Sequence, residues 1–173
     1  MRVIAFDLSL TRTGVADSFS PPKPFVLAPP GGLVSWPRIR WIQARVQELL
    51  ADADLLCIEG YAYGSNNAVY AGELGGIIRF TAYCMGVRYV DIAPTTLKKL
   101  ATGSGKGKKL GVLVEAVKRL GYEGQDDNEA DAMWLLQAAL HHYGLPGAVD
   151  LPKAHTSTLH KIKWPTPEEL EAA

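Results

Sequence analysis

The residue pattern predicts an α/β fold, a mixed five-stranded sheet flanked by helices. Two observations carry this. Three short apolar runs follow one another within the first 28 residues, separated by Gly, Pro and Ser, as antiparallel neighbours are. Beyond residue 35, longer segments with helical apolar spacing alternate with two further short runs, as in parallel strands joined by helices. At 173 residues, 47% hydrophobic and 21% charged, the chain has the size and balance of one domain with a sizeable core.

Val3 to Leu8 reads as a buried strand interrupted by Asp7. Thr11-Arg12-Thr13-Gly14 reads as a tight turn, Val15 to Phe19 as the returning strand, and Phe25 to Ala28 as a third strand bracketed by prolines. A helix near Pro37 places Ile39, Ile42, Val46, Leu49 and Leu50 on one face. Leu55 to Ile58 is a strand ending at Glu59. A loop over 60–67 leads to a helix from Ala68 to Met85, with Leu74, Ile77, Ile78 and Thr81 in its apolar stripe. In it Ala71 and Gly75, and Gly72 and Gly76, stack at i,i+4 and offer a close approach to another backbone. Arg88 to Ile92 is the last strand, closed by Pro94. A short helix over 95–101 then precedes the Gly-rich loop 102–107. The next helix carries Leu110, Leu113, Val114, Val117 and Leu120 at core spacing, and a last long helix spans 128–143. The expected organisation is a folded domain over 1–145 and a tail, 146–173, packed on it or extending from it.

No apolar run approaches membrane-spanning length, and the first residues do not read as a secretory signal. Cys57 and Cys84 lie inside apolar periodic segments and read as small buried hydrophobes in a reducing cytoplasm. Formal net charge is zero, but its distribution is uneven. Lys98 to Arg119 holds seven basic residues against Glu115, and Gly121 to Asp131 holds five acids and no base. That suits a chain that holds both a polyanion and cations; two solvated helix faces would look similar.

Three acids stand where the apolar pattern does not call for them. Asp7 interrupts one apolar strand and Glu59 terminates another. Asp131 opens the apolar stretch of the last helix, with Asp127 and Asn128 at i−4 and i−3 on the same face. A buried carboxylate is costly unless a cation or hydrogen bonds compensate it. Strand-end acids also lie where α/β sheets bind ligands. Such oxygen ligands suit Mg²⁺ or Mn²⁺, and two ions about 4 Å apart serve phosphoryl chemistry. Each acid has a plainer reading: Asp7 capping a turn through Ser9 or Thr11, Glu59 capping its loop, Asp127 as a helix N-cap.

The wording around these acids resembles the RuvC family of Holliday junction resolvases, in its phage-encoded members above all. The resemblance rests on Phe6-Asp7-Leu8-Ser9-Leu10 with Thr13-Gly14, Ile58-Glu59 with a nearby aromatic, Pro94 to Lys109, and Asn128-Glu129-Ala130-Asp131-Ala132, over roughly residues 3–143. It implies an RNase H-like fold, a homodimer, and two Mg²⁺-dependent (or Mn²⁺-dependent) sites nicking opposed strands of a four-way DNA junction. Asp7, Glu59 and Asp131 match the family's acids. Leu8 and Ser9 stand where the family usually has Pro and Gly, and Asn128 where it usually has Asp or His. The fourth ligand therefore rests between Asp127 and Asn128. Lys98, Lys106, Lys108 and Lys109, around Gly103-Ser104-Gly105, resemble the family's basic elements for backbone phosphates. Tyr61 and Tyr63, with Tyr70, fall where the family places an aromatic against junction bases. His141, His142, His155 and His160 form no ligand spacing. The rival readings are a less selective flap or single-strand nuclease of the same fold, and a junction-binding protein that has lost catalysis. An ATP-binding relative with a duplicated domain would need a longer chain.

Overall fold

The computed structural model describes residues 1–19, 23–60 and 68–171. Among them β1 (Val3–Asp7), β2 (Thr13–Asp17), β3 (Phe25–Leu27), β4 (Leu55–Glu59) and β5 (Arg88–Ile92) form one sheet in the order β3-β2-β1-β4-β5. β2 lies antiparallel to β1 and β3, while β4 lies parallel to β1 and to β5. The helices are α1 (Ser35–Leu50), α2 (Ala68–Cys84), α3 (Pro94–Thr102), α4 (Lys109–Leu120), α5 (Asp127–Tyr143), α6 (Lys153–Thr156) and α7 (Pro167–Glu171). The expected mixed sheet with flanking helices is what forms.

β1 and β4 are covered on both faces, which is why they read as unbroken apolar runs. Alternation divides their side chains between two cores. Ile4, Phe6, Leu56 and Ile58 pack with α1 and α2, through Ile42, Val46, Leu74 and Ile78. Val3, Ala5, Leu55 and Cys57 pack with α3, α4 and α5, through Leu100, Val112, Trp134 and Leu135. α5 is the most enclosed helix, with every residue from Ala130 to Leu140 buried. The Trp134 indole donates to the Val112 carbonyl at 3.2 Å and ties α5 to α4.

Several local expectations change. Thr13 and Gly14 begin β2 rather than forming the turn, which Ser9 closes by accepting from the Thr11 and Arg12 amides. In α4 the core residues are Val112 and Ala116; Leu110, Val114 and Val117 are exposed. Leu113 and Leu120, expected on the core face, do pack against the core, partly buried beside Val112 and Ala116. Cys57 is buried as expected, but Cys84 is exposed at the end of α2. The segment after residue 145 packs onto the α5 side of the sheet through Leu151, Leu159, Ile162, Trp164 and Leu170. His155 anchors it, its Nδ1 lying 2.8 Å from the Leu100 carbonyl. His142 stacks on Trp164 at 4.5 Å.

Candidate functional site

Asp7 and Glu59 are the final residues of two adjacent parallel strands, one step beyond the registered pair Phe6 and Ile58. Alternation sends both to the Val3–Ala5 and Leu55–Cys57 side, the side that α5 covers. α5 brings Asp131 to the same place. Its approach depends on Gly14, the partner of Asp7 across the β1–β2 ladder. A Cβ at Gly14 would stand 2.0 Å from the Asn128 carbonyl oxygen, so only glycine lets the start of α5 lie on β2.

The start of α5 is fastened from three sides. Asp126, not Asp127, is its N-cap, and accepts from the Asn128 amide at 2.9 Å and the Glu129 amide at 3.4 Å. Arg12 reaches across from the β1–β2 turn and donates to Asp126 Oδ2 from Nε at 2.7 Å. This pair, with the two amides, holds the Asp126 carboxyl below its usual range against its partial burial. Tyr122 is buried and donates to Glu129 at 2.6 Å, while its oxygen accepts from the Asp126 amide at 3.0 Å. Arg12 and Tyr122 were not expected at the site. Arg12 stood in a segment that reads as a turn, and a lone aromatic carries no sequence signal for capping.

The acids so assembled are electrostatically strained. Asp7 and Asp131 are each 8% exposed. Among the described residues no hydrogen bond or ion pair reaches the carboxylates of Asp7, Glu59 or Asp131. The turn beyond β1 is satisfied by Ser9 and Thr13, which leaves Asp7 without a capping role. Burial, then Asp131 and Glu59, pushes the Asp7 carboxyl well above the usual carboxylate range. Burial, then Asp131, pushes Glu59 up to about 7, against the pull of Lys109 and Lys98. Burial pushes Asp131 up to about 6, with Lys109 and Lys98 opposing and Asp127 adding to it.

The donor set fits a hard divalent cation: carboxylates without protein donors, in a site where their mutual repulsion calls for positive charge. As placed, among the described residues, no three His, Cys, Asp or Glu side chains converge closely enough to cage an ion. Asp127 is an electrostatic neighbour of both Asp7 and Asp131, and pairs with Lys109 Nζ at 2.6 Å. Among the described residues no side-chain contact ties Asn128 to the cluster; its backbone carbonyl is what meets Gly14.

The lysines separate. Lys98 on α3 and Lys109 at the start of α4 border the acids, whereas Lys106 and Lys108 stand exposed on the loop between the helices. That loop is internally bonded: Gly103 caps α3 in a left-handed conformation, and Thr102 Oγ1 accepts from the Ser104 amide at 3.3 Å. Tyr61 and Tyr63 lie outside the described residues. Tyr70 is exposed near the start of α2.

No protein-family profile matches the chain. A crossover junction endodeoxyribonuclease RuvC from Gloeobacter violaceus is 25% identical over 170 residues, covering 90% of this chain and 97% of its own. A Thermus thermophilus RuvC structure superposes with a TM-score of 0.64 at 23% identity, over 83% of this chain and 97% of that one. The same protein in complex with a Holliday junction substrate gives 0.66 at 22%, over 87% and 98%. The fold is therefore the RNase H-like one of these neighbours. All three comparisons are with bacterial proteins and lend nothing to the expected phage-type subtype.

Proposed function

We propose that the chain is a RuvC-family endodeoxyribonuclease that resolves Holliday junctions and other branched DNA by metal-dependent phosphodiester hydrolysis. One observation carries the reading: two buried carboxylates, Asp7 from β1 and Asp131 from α5, and the half-buried Glu59 from β4 lie on one sheet face with no hydrogen-bond or ion-pair partner among the described residues. The similarity to junction endonucleases over most of the chain's length supports it.

Asp7, Glu59, Asp131 and Asp127 are the residues that would hold Mg²⁺ or Mn²⁺, two ions per site, with Asp127 rather than Asn128 at the fourth corner. Such ions supply Lewis-acid charge to the scissile phosphate and to the leaving oxygen. The chain's own part is to gather the acids, which the Gly14 approach and the Arg12–Asp126 clamp accomplish. Lys98, Lys106 and Lys108 would hold the DNA backbone, and Tyr61 and Tyr63 the junction bases. Residues 1–145 are the nuclease domain in this reading, with 146–173 as its packed tail.

Resolution by paired nicks needs two sites, and a second copy is best received on α2. Its outward side carries Tyr70, Phe80 and Tyr83 exposed, with Gly76 facing open space. Among the described residues no helix is long and apolar enough to cross a membrane, and a cytoplasmic location fits the reading. The test is cleavage of a synthetic four-way junction with Mg²⁺ or Mn²⁺, mapped to the nucleotide. Symmetric paired nicks, absent in chelator and in Asp7→Asn, are expected. Scattered single nicks on flaps and bubbles would replace the resolvase with a less selective nuclease. Junction binding without cleavage under either metal would remove the enzyme.

A further inference from the structure

We propose that Lys109 is the resident counter-ion of the acid cluster and competes with the divalent cation for it. The inference rests on the metal-site reading above, and gives one lysine a role apart from the phosphate-holding expected of all four.

Lys109 is the first residue of α4, a helix with no side-chain cap and no acid in its first turn. A cation at that end opposes the helix dipole, so the position favours an external anion. α5 provides one: Asp127 Oδ2 lies 2.6 Å from Lys109 Nζ. The same ammonium is an electrostatic neighbour of Asp7, Glu59 and Asp131, and opposes the effect of burial on each. Lys98 opposes the effect of burial on Glu59 and Asp131. Of the lysines beside the site, Lys109 is the one in an ion pair with an acid of the cluster among the described residues.

Among the described residues the acids do not converge closely enough to cage an ion, and Asp127 is held by Lys109. For Asp127 to ligate an ion it must leave Lys109. That exchange is cheap, because the pair is half-exposed on both sides, 56% and 46%. Such pairs are weak and readily broken. Cation and lysine then share one anion, and each lowers the other's hold on it.

The experiment is a thermal melt of the full chain across a Mg²⁺ titration, for wild type, Lys109→Met, Lys109→Gln, Lys109→Arg and Asp7→Asn. In chelator, Lys109→Met should melt below wild type. Its half-saturating Mg²⁺ concentration should fall roughly three- to tenfold. Lys109→Gln serves if the Met variant misfolds, and Lys109→Arg should stay within about twofold of wild type. An unchanged or higher Mg²⁺ requirement in the uncharged variants, with the response abolished in Asp7→Asn, overturns the inference and leaves the metal site standing. No Mg²⁺ response in any chain, wild type included, overturns both.

Discussion

The two faces of the sheet are made from the same strands and do different work. On one, Ile4, Phe6, Leu56 and Ile58 meet an apolar layer from α1 and α2. On the other, Val3, Ala5, Leu55 and Cys57 form an equally apolar row that ends in Asp7 and Glu59. Stability comes from both rows, but the second gives some of it back at its end, where acids repel one another out of water. The difference teaches where the proposed chemistry would be housed: at the end of a packed row that holds like charges together.

The sharpest break of this comparison pairs neighbours in sequence. Asp7→Asn should reduce metal-dependent junction cleavage by about 10³-fold or more, some 4 kcal/mol. It should also raise the melting temperature in chelator, because a buried repelling charge is removed. Phe6→Ala on the opposite face should do the reverse, costing about 3–5 kcal/mol of stability while folded molecules still cut. Urea melts and per-folded-molecule cleavage rates read both. A Phe6→Ala chain that folds but cannot cut would show that the faces are not separable.

Next in size is Gly14→Ala. The new methyl meets backbone at 2.0 Å, which no rotamer relieves. A loss of roughly 3 kcal/mol is expected, with cleavage falling as Asp131 is displaced. Gly60→Ala is the control, since its nearest neighbour stands at 3.6 Å. Equal denaturation midpoints for the two variants would remove the argument for close approach.

A smaller effect is pH-dependent. Glu59 is raised from 4.5 to about 7 when folded, so its favourable contribution is complete below the unfolded value and is lost as pH rises through 7. In chelator, Glu59→Gln should therefore match wild type near pH 4.5 and exceed it at pH 8 by roughly 3 kcal/mol. A constant difference across that window would mean the shift is not the cause. Smallest in folding energy is Phe80→Glu on exposed α2, within about 0.5 kcal/mol for the monomer. Light scattering should nonetheless show half the mass of the proposed dimer. An unchanged dimer would place the partner elsewhere.

Asp7, Glu59 and Asp131 were legible in the sequence because each breaks an apolar pattern whose period is set locally. The five strands and the long helices were legible for the same reason. The lining of α4 was legible only in part: Leu113 and Leu120 pack on the core, but Val112 and Ala116 are its buried residues while Leu110, Val114 and Val117 are exposed. The N-cap is Asp126 rather than Asp127, and Arg12, 114 residues away, pairs with it.

By itself the sequence determined which residues form strands and helices, and which acids are out of place among them. Periodicity and burial act between near neighbours, and near neighbours are what a sequence displays. Only the tertiary structure decided that α5 lies against Gly14, and that Arg12 and Tyr122 hold its start. It alone paired Lys109 with Asp127. Those decisions depend on distances between segments remote in the chain, where sterics and Coulomb forces select partners that no local pattern records.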